Sequence, residues 1–314
     1  MIMKNKIITF LLVCLMNTAF AQRAVEFVIP FPQGGSADRT ALILITYMRE
    51  EFIKSGLTPV LSYRPGAGGI LATASVVNSD RLQIFMAPNG VVTSVIVNPT
   101  PVTYDIKQDL VPLEYIGHIP ALLVVNSKSK FKTLQDIQQE CQQRPIVFGS
   151  AGVGSITHIA SAIVLAHLKC PSTHIPYKGV GPALVDLQGS HIDMVTDFVA
   201  SVRSHIEANT FRPLLSVGQH KNPDYPNLPS MGDIGYSNYE IDTWFVLAVG
   251  AKVPAVDIAI VQPILHRMMQ RTDLRKQLQE NGLHGIGTKM PPNFFAVEHS
   301  KFERILKRIE LNDK

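Results

Sequence analysis

Apolar and polar positions along the chain follow two alternating periodicities. Short apolar runs bounded by Gly, Pro or Asn are separated by longer segments whose apolar residues recur every three to four positions. The strand-like runs are 25–31, 59–63, 83–88, 121–126, 145–150, 192–198, 212–218 and 243–250. The helical segments are 37–54, 68–78, 133–143, 155–169, 181–188, 199–208, 254–281 and 291–311. This alternation predicts an α/β fold with largely parallel sheets.

Glycine-rich junctions connect a predicted strand to a predicted helix at three places. They read PQGGS at 32–36, RPGAGG at 64–69 and GSAGVGS at 149–155. Ligands of open α/β sheets bind beyond the carboxyl ends of strands, and a helix N-terminus offers backbone N–H groups to an anion. The junctions therefore predict a carboxylate site built without Lys or Arg. Its candidate donors are the backbone and hydroxyl groups of Gly35, Ser36, Ser150, Gly154 and Ser155.

Other chemistries fit these junctions less well. A phosphate-binding P-loop needs Lys before its final Ser or Thr, but Gly154 precedes Ser155. Ser150 with His158 as base is a distant hydrolase alternative, because Phe148 stands where a nucleophile elbow needs Gly. The ten His are scattered without metal-ligand spacing, so no metal or other cofactor is predicted. Asp38 either caps its own helix or meets the ammonium group of a zwitterionic ligand.

The N-terminal 21 residues have the pattern of a secretory signal. Lys4 and Lys6 precede an apolar run, and Ala19-Phe20-Ala21 forms a cleavage site before Gln22. Cys14 follows Val13 rather than a small residue, so a lipoprotein is the less favoured alternative. No later stretch reaches about 18 uninterrupted apolar residues, so no membrane-spanning helix is expected there. The segment predicts export to the periplasm.

The composition of the full chain limits the kinds of partner and the number of domains that can be expected. The chain carries 29 Lys and Arg against 25 Asp and Glu, without a basic cluster, which argues against nucleic acid as a partner. Its 314 residues are long enough for two domains. Two cysteines lie beyond the signal, Cys141 and Cys170. In an oxidising compartment they predict a disulfide, with two separately buried thiols as the alternative.

Several motifs, in order over nearly the whole chain, give it a family resemblance. They occupy 29–38, 64–69, 104–113, 133–137, 149–160, 174–194 and 243–245. With them the chain resembles the substrate-binding receptors of tripartite tricarboxylate transporters, the Bug family. The resemblance implies a two-lobed periplasmic binding protein fold of type II, the Venus-flytrap fold. It places 22–120 with 245–314 in one lobe and 121–244 in the other.

The resemblance also implies a function and partners. The two lobes of the receptor would close on a small carboxylate. The receptor would then deliver this ligand, without enzymatic chemistry, to the integral membrane permease subunits of a tripartite tricarboxylate transporter. A monomer is expected. The alternative output is a signal to a membrane sensor kinase.

The candidate ligand-binding residues combine the family loops with neighbouring positions. They are Phe31, Gly34, Gly35, Ser36, Asp38, Asn89, Gly90, Ser150, Ala151, Gly154, Ser155, His158, Tyr177, Lys178 and Asp197. The chain departs from the family pattern at Tyr63, where Asn is usual, and at 79–87, which lacks a Gly-Tyr pair. The ligand class therefore stays open between a di- or tricarboxylate, an amino acid and an aromatic acid. Phe31 and Phe198 favour the aromatic acid.

Overall fold

The strands form two sheets in the computed structural model, which describes residues 22–98, 102–218, 221–235 and 243–308. The predicted signal segment, 1–21, lies outside the described residues. The strands are β1 (Arg23–Ile29), β2 (Leu57–Tyr63), β3 (Gln83–Pro88), β4 (Leu110–Ile119), β5 (Ala121–Asn126), β6 (Ile146–Ser150), β7 (Ser172–Pro176), β8 (Met194–Phe198), β9 (Phe211–Val217) and β10 (Thr243–Gly250).

Helices cover the faces of both sheets. They are α1 (Ser36–Phe52), α2 (Ile70–Val77), α3 (Gly90–Val97), α4 (Ile106–Asp109), α5 (Leu134–Glu140), α6 (Ile156–His167), α7 (Val180–Gln188), α8 (Val199–Glu207), α9 (Ala255–Met269), α10 (Thr272–Glu280) and α11 (Phe294–Arg308). Thr133 and Ser155, the first residues of the predicted helices 133–143 and 155–169, cap α5 and α6 with their hydroxyl groups.

The two sheets share one topology. The first has the order β2-β1-β3-β10-β4 and the second has the order β7-β6-β8-β5-β9. In each sheet one strand, β10 or β5, runs antiparallel to both of its neighbours. Each of these is the first strand after the chain crosses from the other sheet. The two-lobed α/β fold expected from the sequence is therefore confirmed.

The core lies where the sheets are covered on both faces. Every residue of β10, TWFVLAVG, is buried, and so is every residue of β3. Such continuous apolar runs are typical of strands packed between helix layers. The predicted lobe boundaries stay a prediction. Strand membership supports them, except that Thr243 and Trp244 already belong to β10 of the first sheet.

Several elements differ from the sequence prediction. The predicted helix 254–281 is two helices, because Arg271 takes an extended conformation (φ −66°, ψ 126°) between α9 and α10. Strands β4 and β7 and helices α3 and α4 were not predicted. The burial of β4 is irregular and no residue of β7 is buried, while α4 has only four residues and the apolar stretch of α3 is too short to show a helical period.

A disulfide joins Cys141, which follows α5, to Cys170, which precedes β7. Their Cα atoms are 5.3 Å apart, and 29 residues separate them in sequence. Both cysteines are buried. The bridge ties together two helix–strand connections at the edge of the second sheet. Of the helices in the described ranges, none is long and apolar enough to cross a bilayer.

Candidate functional site

A cleft with a cavity volume of about 60 Å³ lies between the carboxyl ends of the parallel strands of the two sheets. Residues of both sheets line it, and most of its wall is apolar. From the first sheet come Phe31, Pro32, Gln33, Gly35, Ser36, Ala37, Pro88, Gly90, Thr243 and Phe245. From the second come Ala151, Ser155, Ile156, Thr157, Gly179, Val180, Gly181, Pro182, Asp197 and Phe198.

Helix N-termini converge on this cleft. The first residues of α1, α3, α6 and α7 line it, and α8 begins immediately after the lining residue Phe198. The N-cap residues of α1 and α7, Gly35 and Gly179, make no side-chain cap hydrogen bond. First-turn N–H groups have no partner within their own helix. The cleft therefore presents unused donors and the positive ends of several helix dipoles to an anion.

Part of the predicted set lines the cleft directly. These residues are Phe31, Gly35, Ser36, Gly90, Ala151, Ser155 and Asp197. The Ser155 hydroxyl is used within its own loop, because it accepts from His158 N (3.3 Å) and contacts the Thr157 hydroxyl (3.0 Å). The Thr157 hydroxyl in turn accepts from Ala151 N (3.0 Å). Backbone donors of the first turn of α6 are thus better placed for a ligand than these hydroxyls.

Asp38 and Gly34 do not line the cleft themselves but lie next to residues that do. The Asp38 carboxylate accepts from Gly34 N (2.9 Å) and from the Tyr63 hydroxyl (2.6 Å). Burial, followed by this bond to Asp38, raises the pKa of Tyr63 to about 12. Tyr63, where the family usually has Asn, therefore helps to fix the first glycine loop. In these contacts Asp38 acts on the loop, and its role towards a ligand stays a prediction.

Ser150 and His158 are also turned away from the cleft. The Ser150 hydroxyl is fully buried and lies 2.6 Å from His174 Nε2. His158, a candidate ligand-binding residue, is buried, with its ring stacked on His174 at 4.0 Å between centroids. Burial, and then the neighbouring His158, lower the pKa of His174 to about 3, so the His174 ring is neutral at physiological pH. The sequence offered no signal for His174.

The remaining predicted residues take supporting positions. Asn89 is fully buried at the start of α3. The carbonyl oxygen of Gly154, in the third glycine junction, accepts from the hydroxyl of Thr93 on helix α3 (2.5 Å). The Tyr177 hydroxyl donates to Asp186 (2.5 Å), and Lys178 is exposed on the following turn. As ligand contacts, these residues stay predictions.

Asp197 is the one titratable side chain among the described residues that line the cleft. It lies near the end of β8 and is 1% exposed. Burial raises its pKa to about 7, although the Phe198 N–H and the Ser201 hydroxyl favour the ionised form. Across the described ranges, no cluster of three or more metal-ligating side chains is present.

The sequence missed several lining residues. Val180, Gly181 and Pro182 open a helix whose N-cap is a single glycine, and Thr243 and Phe245 lie on a strand from the far end of the chain. The HIPYKGVGPA run held a signal in hindsight, since Gly179 precedes an apolar helix start. Nothing local marks Thr243.

Comparisons with known proteins agree with this architecture. A protein of Pseudomonas sp. (strain P51), "UPF0065 protein in tcbD-tcbE intergenic region", is 28% identical over 301 residues, 94% of this chain and 88% of its own. The structure of the periplasmic binding protein BugD superposes with a TM-score of 0.83 at 21% identity, covering 92% of this chain and 98% of that chain. R. palustris Rpa4515 with adipate gives a TM-score of 0.82 at 24% identity, covering 92% and 97%.

The family model covers most of the chain. The model described as the tripartite tricarboxylate transporter family receptor matches residues 48–311. That range includes strands of both sheets and the second and third glycine junctions. The chain therefore belongs to the tripartite tricarboxylate transporter family of receptors.

Proposed function

We propose that this receptor captures a small carboxylate in the cleft between its sheets and delivers it to the membrane subunits of a tripartite transporter, acting in the periplasm. The family is one of receptors, so the chain is a receptor and not an enzyme. The observation that carries the proposal is the convergence of helix N-termini on an apolar cleft without Lys, Arg or His among its described lining residues.

The physical reason lies in the donors. A carboxylate placed against first-turn N–H groups gains charge-assisted hydrogen bonds of about 1.5–3 kcal/mol each, without the desolvation of a buried cation. The apolar wall accommodates the carbon skeleton. A ligand that contacts both halves favours the closed arrangement of the lobes, because it binds that state better. The adipate found with the related Rpa4515 is a small carboxylate of the expected class.

The test uses an isosteric pair of variants at Gly181, which lines the cleft at the start of α7. A Cβ atom there meets nothing within 4 Å, so both side chains fit. Gly181→Asp adds a negative charge where the ligand carboxylate is expected, whereas Gly181→Asn adds the same volume without charge. We expect the wild-type protein to bind an acid from a panel of dicarboxylates, tricarboxylates, amino acids and aromatic acids in titration calorimetry.

The charge effect separates the outcomes. Gly181→Asp should weaken that binding about tenfold or more relative to Gly181→Asn, because a like charge faces the ligand in a poorly solvated site. Equal affinities of the two variants would contradict carboxylate binding at these helix ends. Delivery is tested separately, by loss of cellular uptake of the identified acid when the receptor gene is deleted and its recovery with the wild-type gene.

A further inference from the structure

The buried carboxylate of Asp197 lacks a hydrogen-bond partner among the described residues. Neither carboxylate oxygen has a hydrogen-bond partner among the described residues, and the side chain is 1% exposed. The Phe198 N–H and the Ser201 hydroxyl lie near it without forming a hydrogen bond of good geometry. Buried carboxylates in proteins are almost always paired. Because Asp197 lines the cleft, its partner is expected to come from the bound molecule.

Thr243 repeats this observation from the other sheet. It is the first residue of β10, it lines the same cleft and it is 1% exposed. Its hydroxyl oxygen also has no hydrogen-bond partner among the described residues. Two buried oxygen groups thus face one largely apolar cavity from opposite sheets. Both can accept a hydrogen bond, so together they fit a ligand group that donates several.

The charges around the cleft favour one ligand class. The helix N-termini are positive and suit a carboxylate, whereas Asp197 is the single acidic side chain among the described lining residues. A simple monocarboxylate leaves Asp197 unpaired, and the second carboxylate of a dicarboxylate is repelled once Asp197 ionises. A zwitterion matches both signs, with its carboxylate at the helix ends and its ammonium group at the carboxylate of Asp197.

Resting on the function proposed above, we propose that Asp197 and Thr243 form a subsite for the ammonium group of an amino acid. The apolar wall, with Phe31, Phe198 and Phe245, takes an apolar or aromatic side chain. The ammonium group donates to the Asp197 carboxylate and the Thr243 hydroxyl. This assigns to Asp197 the recognition role that the sequence left open for Asp38, whose carboxylate is already occupied by Gly34 and Tyr63.

The test compares ligands that differ only by the amino group. Leucine is paired with 4-methylpentanoate and phenylalanine with 3-phenylpropanoate, and adipate represents the dicarboxylates. The wild-type protein should bind the better amino acid about 10- to 100-fold more tightly than its des-amino partner, as for one or two charge-assisted hydrogen bonds. Asp197→Asn should remove most of this preference, and Thr243→Val part of it.

Asp257→Asn is the matched control. Asp257 pairs with Arg23 (2.5 Å) at the end of β1 away from the cleft, so its loss should leave the preference unchanged. If Asp197→Asn does not fold, Thr243→Val carries the same comparison. Equal binding of amino acid and des-amino acid, or tighter binding of adipate than of either amino acid, would overturn the ammonium subsite and leave the carboxylate receptor standing. Binding of none of these five compounds would also overturn the ammonium subsite, and only failure to bind any acid of the wider panel would overturn the carboxylate receptor as well.

Discussion

The buried Asp197 predicts that the ligand-free protein loses stability as the pH rises. Burial raises the folded-state pKa of this carboxyl from its ordinary value of 3.8 to about 7. A carboxyl whose pKa is raised on folding ionises first in the unfolded chain. The folded state is therefore penalised progressively between about pH 4 and pH 7, and the penalty is constant above that range. Linkage gives a penalty of about 4 kcal/mol at pH 8 and about 2 kcal/mol at pH 5.

Asp197→Asn removes the ionisable group and keeps its shape. Relative to the wild-type protein, the variant should gain about 2–3 kcal/mol more at pH 8 than at pH 5. The assay is urea unfolding of ligand-free protein at both pH values. Asp257→Asn is the control, because bonding to Arg23 lowers the Asp257 pKa and both test values lie above it. Its effect should be the same at pH 5 and pH 8. An Asp197→Asn effect that is equally independent of pH would refute the reasoning.

Further predictions follow from individual contacts. Replacing Cys141 and Cys170 by Ala should cost about 3–4 kcal/mol of unfolding free energy, the loop-closure term for 29 residues, measured in urea; no loss would mean that the bridge does not form in solution. Gly154→Ala should weaken binding of the identified acid in calorimetry. Gly154 has φ +74°, and a Cβ atom there would lie 2.7 Å from the Cα atom of Ser94, so the close approach of these two residues would be lost. Unchanged affinity would show that lobe closure does not need this close approach. Thr133→Ala should lower stability by about 1 kcal/mol through loss of the capping box of α5, and an unchanged thermal midpoint would contradict that role.

Local signals in the sequence located most of the fold. The glycine junctions lie at the carboxyl ends of β1, β2 and β6 as expected, because strand periodicity and turn glycines act over a few residues. The starts of α5 and α6 beside Thr133 and Ser155, whose hydroxyls cap them, were located for the same reason. Strand β4 was missed because it pairs on one side with β10, from the far end of the chain, and its burial is irregular.

The site was harder to predict because it depends on where side chains point. Ser150 lies in the expected loop, yet its hydroxyl turns to His174, a partner 24 residues away that no local pattern marks. Thr243 reaches the cleft only because β10 returns to the first sheet. Asp197 was expected in the pocket by family resemblance alone. That both its oxygens are buried without partners is a property of packing, which the sequence does not display.

Native mass spectrometry of the receptor purified from its own cells tests carboxylate capture most directly. The wild-type protein should carry one small organic acid per chain, released chemically unchanged on denaturation, and Gly181→Asp should carry none while Gly181→Asn retains it. A wild-type protein that carries no acid after exposure to the whole panel, or that converts the bound compound into another, would contradict a receptor that holds a carboxylate at its helix N-termini.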